Sequence, residues 1–452
     1  MSLAGELARA QTLVAERLGL DFSLRRRAEL ERALLRAARA ANAPSAERYL
    51  RWLESLPDES PAWRQLASSL TVGETYFFRD GACFQALERE VLPALIDRRR
   101  AAGTPRLRLW SAGCASGEEP YSLAILVDRL LRDRADWAVT ILATDVDAEG
   151  LERARRGVYR RWSLRDTPPA VVDRYFRRRG AESFELDPEI RRMVTFAPLN
   201  LAGDGYPSVV TNTGAMDVIL CRNVLLYFTP EAQRATAARL RQALVAGGWL
   251  AVSPTEASAE LLRPLEPVRL QGALLHRKQD QRPGRSRAEP RPAAAAVAAP
   301  APRPAPAGAP AAPAPPPLPE PDPGELRERA RAAADRGDLD EAAGLCRAAL
   351  ARDRLDVETH LLLAAICQER AELPAALEAL RAALFLAPDS AAAHFLLGGL
   401  ELRRGERRRG ARSLGTAARL LAALPPDEPV AGAAGLTARR LLETTEAYLE
   451  RW

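Results

Sequence analysis

Lysine is almost missing from this chain: of 65 basic residues only Lys278 is not arginine, and histidine occurs at three positions, His276, His360 and His394. Cysteine is sparse as well. Cys83, Cys114, Cys221, Cys346 and Cys367 are odd in number and scattered without a CxxC pair, which argues against a disulfide framework and against a zinc site, so no metal is expected. No run of about 18 uncharged apolar residues occurs, and the opening MSLAGELARAQTL places Glu6 where a signal peptide would need an apolar stretch. The expectation is a cytoplasmic protein with no direct membrane insertion. The chain also lacks both GxGxxG and GxxxxGK[ST], the turns that cradle dinucleotide and nucleoside triphosphate phosphates. The net charge is +6, but acids are interleaved with arginines through most of the chain, so nucleic acid, which needs a clustered basic face, is not an expected partner.

What is present divides into blocks. Residues 1–85 carry helix-period patterns (ELARAQTLVAERLGL, RAELERALLRAARAA, AERYLRWLESL) broken at Pro44, Pro57 and Pro61, and read as a small helical domain. Over 86–280 short β-rich runs (LRLWSAG, VTILATD, MVTFAPLN, MDVILC, WLAVSP) alternate with amphipathic helices, a texture that predicts a parallel, doubly wound α/β sheet. Residues 281–323 hold 15 of the 35 prolines in an Ala/Pro/Arg mixture and read as an extended linker.

From 324 to 452 the sequence repeats with period 34, aligning GDLDEA at 337, AELPAA at 371 and GERRRG at 405. Ala342, Ala376 and Gly410 are equivalent, as are HLLLAAI at 360 and HFLLGGL at 394. This is the tetratricopeptide period, with small residues where helices approach, and it makes His360 and His394 repeat equivalents rather than metal ligands. The tail GLTARRLLETTEAYLERW reads as an amphipathic capping helix. The repeats either pack on the α/β domain or offer a groove to a signalling protein.

The chemistry concentrates in LRLWSAGCASGEEPYSLAI, residues 107–125, where a strand-like run ends in Gly113 and Gly117 with only small residues between them. In a parallel sheet this turn meets a helix N-terminus, and the backbone can approach a nucleotide-like ligand there, although such glycines also serve turns that merely need φ > 0. The next strand ends in Asp145, 28 residues after Gly117, placed to accept ribose hydroxyls. With both phosphate motifs missing, an adenosyl cofactor without phosphates fits best. A separate feature is the stripe Arg32, Arg36 and Arg39 at i, i+4, i+7, following Arg25–Arg27, with Leu30, Leu34 and Ala41 opposite it; it is either a solvated face or a docking surface for an acidic helix.

TVGETYFFRD (71–80), SAGCASGEEPYS (111–122), ATDVD (143–147), RARRGVYRRW (153–162), APLNL (197–201) and CRNVLLYF (221–228) together resemble, in order and spacing, the signatures of the CheR family. These are S-adenosylmethionine-dependent methyltransferases that esterify glutamate side chains of chemotaxis receptors. The resemblance covers residues 1 to about 280. It implies an N-terminal helical domain, a Rossmann-like methyltransferase domain, and a small β subdomain inserted near 160–200. It further implies that Thr75 and Arg79 reach the cofactor from the interdomain segment, that Glu119 and Asp145 hold its amino-acid and ribose parts, that Asn200, Leu201, Arg222 and Asn223 line the rest, and that Tyr227 sits beside the transferred methyl. Gly73 replaces an Asn found in some relatives, and SPTEAS keeps only Glu256 of a His-Ser-Glu run.

A glutamate carboxylate is already ionised at neutral pH, at a reference pKa of about 4.3, so its methylation needs alignment rather than a strong general base. An amino-group methyltransferase would carry an Asn/Asp-Pro-Pro-Tyr run where this chain has CRNVLLYF. The expected partner is the cytoplasmic helical domain of a chemoreceptor, docked on Arg32, Arg36 and Arg39 and bringing the enzyme to receptor arrays. RRRGAESFELDPEIRRMV lacks the Gly-rich loop of relatives that grip a receptor tail, so docking is expected to be direct. The alternative is a cofactor-sensing scaffold that recruits signalling partners through its repeats.

Overall fold

The computed structural model describes residues 3–23, 26–56, 60–71, 73–208, 212–279, 321–370, 372–433 and 436–451. The proline-rich stretch read as a linker lies, but for residues 321–323, outside the described residues, as does Arg25.

The first block forms α1 (Leu3–Leu18), α2 (Arg27–Ala40), α3 (Ala46–Glu54) and α4 (Pro61–Leu70). Their ends follow local chemistry. The Ser45 hydroxyl accepts from the Arg48 N–H and Ser60 from that of Trp63, with Pro61 in the first turn of α4. On α2 the residues Leu30, Ala33, Leu34 and Ala37 are buried, as their helical spacing requires. Trp63 is buried too, its indole N–H donating to the Leu53 carbonyl at 3.0 Å.

The second block follows as α5 (Gly81–Ala86), α6 (Leu92–Ala101), β1 (Arg106–Ala112), α7 (Glu118–Leu130), β2 (Ala138–Asp145), α8 (Ala148–Arg156), β3 (Val158–Arg160), α9 (Pro169–Tyr175), β4 (Phe176–Arg178), β5 (Ser183–Leu186), α10 (Pro188–Arg192), β6 (Val194–Pro198), β7 (Met216–Leu220), α11 (Pro230–Ala243), β8 (Leu244–Ala251), β9 (Glu266–Leu270) and β10 (Ala273–Arg277). Seven strands form one sheet in the order β6-β2-β1-β7-β8-β10-β9. The five strands from β6 to β8 are parallel, but β9 and β10 close the edge as an antiparallel hairpin, so the sheet is mixed rather than all parallel. Its turn passes through Gln271 and Gly272, both at positive φ, a pair that only a tight reversal accommodates. Strands β3, β5 and β4 make a separate three-stranded sheet, the small subdomain; β6, inside the span 160–200, belongs to the main sheet instead.

Helices cover both faces of the sheet. The four N-terminal helices share one apolar core with Trp110, Leu142, Ile219 and Leu240, while α5, α6, α7 and the small sheet share another with Leu109, Ile141 and Val218. Covered on both sides, β7 is buried throughout and β1 at all but Arg106, so that Arg108, Ser111 and Asp217 are enclosed together with the apolar residues.

The repeat block forms α12 (Pro323–Arg336), α13 (Leu339–Arg352), α14 (Val357–Glu369), α15 (Leu373–Leu386), α16 (Ala391–Arg403), α17 (Arg407–Ala422) and the capping α18 (Ala438–Arg451). The three motifs set by the 34-residue period open the second helix of each pair. Small residues sit where helices touch: a Cβ on Gly410 would lie 2.6 Å from Leu402 Cγ. The block is not held by the linker alone. Arg108 of β1 is 4% exposed and pairs with Glu369 at the end of α14, Arg64 of α4 pairs with Glu443 of α18, and a Cβ on Gly337 would come within 2.8 Å of Val245.

Candidate functional site

At the C-terminal end of the sheet, β1 runs into a turn at Gly113 with φ 85°, and the chain re-enters α7 through Gly117 at φ 91°. A side chain at Gly113 would place its Cβ 2.3 Å from Val224 Cγ2, and one at Gly117 would meet Ala154 at 2.7 Å. The small residues are therefore required by the protein's own packing and backbone as well as by any ligand.

This turn forms one wall of a cavity. Gly113, Asp145, Asn200, Leu201, Asn223 and Tyr227 all line it, together with apolar Leu18, Leu20, Leu70, Val146, Leu199 and Val224. Asp145 ends β2; its Oδ2 accepts from the Ala115 N–H at 2.7 Å and its Oδ1 from that of Asp147 at 2.8 Å. Burial pushes its carboxyl above the ordinary value despite those two donors. Asn200 spends its side chain on the Arg17 carbonyl and the Ala202 N–H, so it pins α1 to the cavity rim while presenting its backbone.

Beside the cavity lies a charged cluster. Arg222, nearly fully buried, pairs with Asp80 at 3.1 Å and with Glu119 at 3.3 Å, and Glu119 also accepts from the Ser111 hydroxyl at 2.7 Å. Burial raises the Glu119 carboxyl, and Arg222, the Ser111 hydroxyl and last Arg79 oppose that rise. Arg79 and Thr75 lie on the segment that joins the helical domain to α5. Neither lines the cavity; Arg79 donates to the Glu74 carbonyl at 2.9 Å and leans on the Tyr76 ring at 5.8 Å. The structure thus gathers six of the expected residues around one space, sets Glu119 and Arg222 next to it as an ion pair, and leaves Thr75 and Arg79 at its approach.

Two contributors were not assigned a role from the sequence. Glu256 is buried, and its carboxylate accepts from the N–H groups of Asn223 at 2.8 Å, Val224 at 2.6 Å, Leu226 at 3.2 Å and Ser253 at 2.9 Å, and from the Ser253 hydroxyl. It holds Asn223 in the left-handed region at φ 60° and fixes the loop leading to Tyr227. Arg26 lies with its guanidinium 4.2 Å from the Phe22 ring and 5.1 Å from that of Tyr227. The arginine run 25–27 was its only signal in the sequence. From Arg26, α2 carries Arg32, Arg36 and Arg39 outward, all exposed and with no ion pair among the described residues, around a 37%-exposed Leu35.

The cavity suits an adenosyl cofactor. Its aliphatic walls fit a purine, Asp145 and the half of Asp147 that finds no partner, Oδ1, can accept hydroxyls, and Glu119 offers a carboxylate to an ammonium group. No group of His, Cys, Asp and Glu able to hold a metal occurs among the described residues, and none of their helices is long and apolar enough to cross a membrane.

Comparison with known proteins agrees. Residues 73–269 match the family model described as CheR methyltransferase, SAM binding domain, and residues 5–71 match CheR methyltransferase, all-alpha domain. A probable chemotaxis protein methyltransferase of Rhizobium etli is 37% identical over 207 residues, 45% of this chain and 75% of that protein. Chemotaxis protein methyltransferase 1 of Pseudomonas aeruginosa is 36% identical over 47% of this chain and 76% of its own length. The chemotaxis protein methyltransferase of Escherichia coli is 35% identical over 56% and 85%. A solved structure of magnesium protoporphyrin IX methyltransferase from Synechocystis with bound SAM, 14% identical over 51% of this chain and 90% of that one, aligns at a TM-score of 0.24, too low to bear on the argument. With both halves of residues 5–269 matched and the cavity formed where they meet, the chain belongs to the CheR family of S-adenosylmethionine-dependent chemotaxis methyltransferases.

Proposed function

We propose that the protein transfers a methyl group to glutamate side chains of a chemoreceptor, forming glutamyl methyl esters. The observation that carries this reading is the continuity of α2 with the cavity: Arg26 touches Tyr227, and Arg32, Arg36 and Arg39, exposed and without an ion pair among the described residues, extend from there as a cationic stripe. An acidic helix laid along that stripe brings its own carboxylates past Tyr227. Attraction of this kind raises the association rate and weakens with salt.

The bound cofactor supplies an electrophilic methyl on a sulfonium, already activated. The residues of the chain bind and align. Asp145 takes the ribose hydroxyls, the backbone at Asn200 and Leu201 borders the adenine, and Glu119, itself held by Arg222 and Ser111, faces the amino-acid end. Arg79 and Thr75 approach that end from the interdomain segment, and the Tyr227 hydroxyl orients the acceptor carboxylate. The acceptor is ionised at neutral pH, so no proton has to be removed, and the protein's contribution is the in-line placement of two groups.

The test is base-labile methyl ester formation on a receptor cytoplasmic fragment, with a triple reversal of Arg32, Arg36 and Arg39 to Glu. Ester formation should be lost at physiological salt while cofactor affinity, read by calorimetry, is unchanged. A protein that binds the cofactor but esterifies no receptor fragment would be a scaffold, and undiminished methylation by the reversed variant at low salt would reduce the stripe to a solvated face.

A further inference from the structure

Trp162 is 66% exposed, among the most exposed large apolar side chains of the described residues, yet it is firmly held. The Arg165 guanidinium lies 4.3 Å from its ring and 3.6 Å from the Tyr76 ring, so the arginine is sandwiched between the two aromatics. Arg79 leans on Tyr76 in turn at 5.8 Å. Trp162, Arg165, Tyr76 and Arg79 therefore form one stack that runs from the surface to the approach of the Glu119–Arg222 cluster. Arg165 also donates to the Trp162 carbonyl at 2.8 Å and faces Glu74 at 3.7 Å. The turn beneath is tied down at Ser163, whose carbonyl accepts from the Phe77 N–H at 2.9 Å and whose hydroxyl donates to Glu118 at 3.1 Å.

Burying an indole contributes much of a contact's free energy, and a preorganised Trp costs little to immobilise; Trp, Tyr and Arg are the residues that dominate interface hot spots. Around Trp162, Arg160 and Arg161 are exposed without a side-chain partner among the described residues, and Val158 shares the outward face of its strand with Arg160. The surface is apolar at its centre and cationic at its rim. The stack behind it ends at Arg79, on the approach to the Glu119–Arg222 cluster.

We propose that Trp162 is a second anchor for the acceptor helix, complementary to a helix that presents an apolar residue flanked by carboxylates. The inference rests on the receptor-methylating reading above and names the part of the enzyme that grips the acceptor beyond the arginine stripe. Trp162 meets the apolar residue, Arg160 and Arg161 meet the carboxylates, and the stack transmits the position of the helix to Tyr76 and Arg79.

The test is binding of a fluorescently labelled receptor cytoplasmic fragment to the full-length protein, read by anisotropy, beside methylation kinetics. Trp162→Ala should weaken fragment binding and raise the acceptor KM by about tenfold, in the range of a hot-spot truncation. Cofactor affinity and the rate at saturating acceptor should stay within about twofold. Arg160→Glu with Arg161→Glu should give a similar loss that shrinks as salt is raised. Unchanged fragment binding by Trp162→Ala, or a loss of cofactor affinity equal to the loss of acceptor affinity, overturns the anchor. Absence of ester formation by a wild-type protein that still binds the fragment through Trp162 overturns the chemistry instead.

Discussion

Glu256→Gln changes one atom and should nevertheless damage the protein. Oε1 of Glu256 accepts from the Val224 and Leu226 N–H groups, and Oε2 accepts from the Asn223 and Ser253 N–H groups and the Ser253 hydroxyl. A glutamine can turn its amide either way, but both ends of the site are lined by donors. Its NH2 must then face two backbone N–H groups, which lose their acceptor. A buried donor left unsatisfied costs about 1–3 kcal/mol. Leu226 is partly open to water, which places the pair toward the lower end, about 2–4 kcal/mol in all. For a body of this size that lowers the unfolding midpoint by roughly 5–15 °C. Because the released loop carries Asn223 and Tyr227, cofactor affinity and turnover should fall together in the fraction that remains folded. Differential scanning fluorimetry and calorimetry with S-adenosylmethionine read both effects. A side chain that merely filled space would tolerate the near-isosteric glutamine, so a variant with wild-type midpoint and wild-type turnover refutes the reasoning.

Asp145→Ala removes the carboxylate at the end of β2 and should abolish measurable cofactor binding in a folded protein; calorimetry with unchanged affinity would exclude Asp145 from the ribose site. Burial raises the carboxyls of Asp145 and Glu119 above their ordinary values of 3.8 and 4.5, so cofactor affinity should begin to fall at a pH above those values as acid is added. The stability of the free protein should move oppositely: the folded state binds these protons at higher pH than the unfolded chain, so these two groups add stability as pH falls through their folded pKa values, a contrast that paired binding and unfolding titrations detect. Truncation near residue 280 should leave a folded, cofactor-binding core, because Arg108 keeps Asn212 and Gly214 as acceptors when Glu369 is lost; Glu369→Ala in the full chain removes the ion pair between β1 and α14 and should loosen the repeats, read as faster proteolysis between the two bodies.

The sequence by itself determined the order of elements and most of the cavity wall. Strand alternation, the turn at Gly113, the acid closing the next strand and the 34-residue period are local patterns, set by backbone geometry and apolar spacing, and local patterns survive in a linear reading. The same holds for Leu30 and Leu34, buried opposite an exposed arginine stripe. What only the tertiary structure decided are meetings between distant segments. Val224 seats against Gly113, Glu256 gathers amides 30 or more residues away, and Arg26 comes to rest on Tyr227 because α1 ends where the loop after β7 passes. The antiparallel closing hairpin and the seating of the repeats on β1 belong to the same class. Glu369 is an ordinary charged residue at the end of a repeat helix until Arg108, buried in the sheet, supplies the partner that its position in space provides. Burying that pair together is made less costly by the further acceptors around one Arg108 amino group, and no periodicity in the chain records where those acceptors will lie.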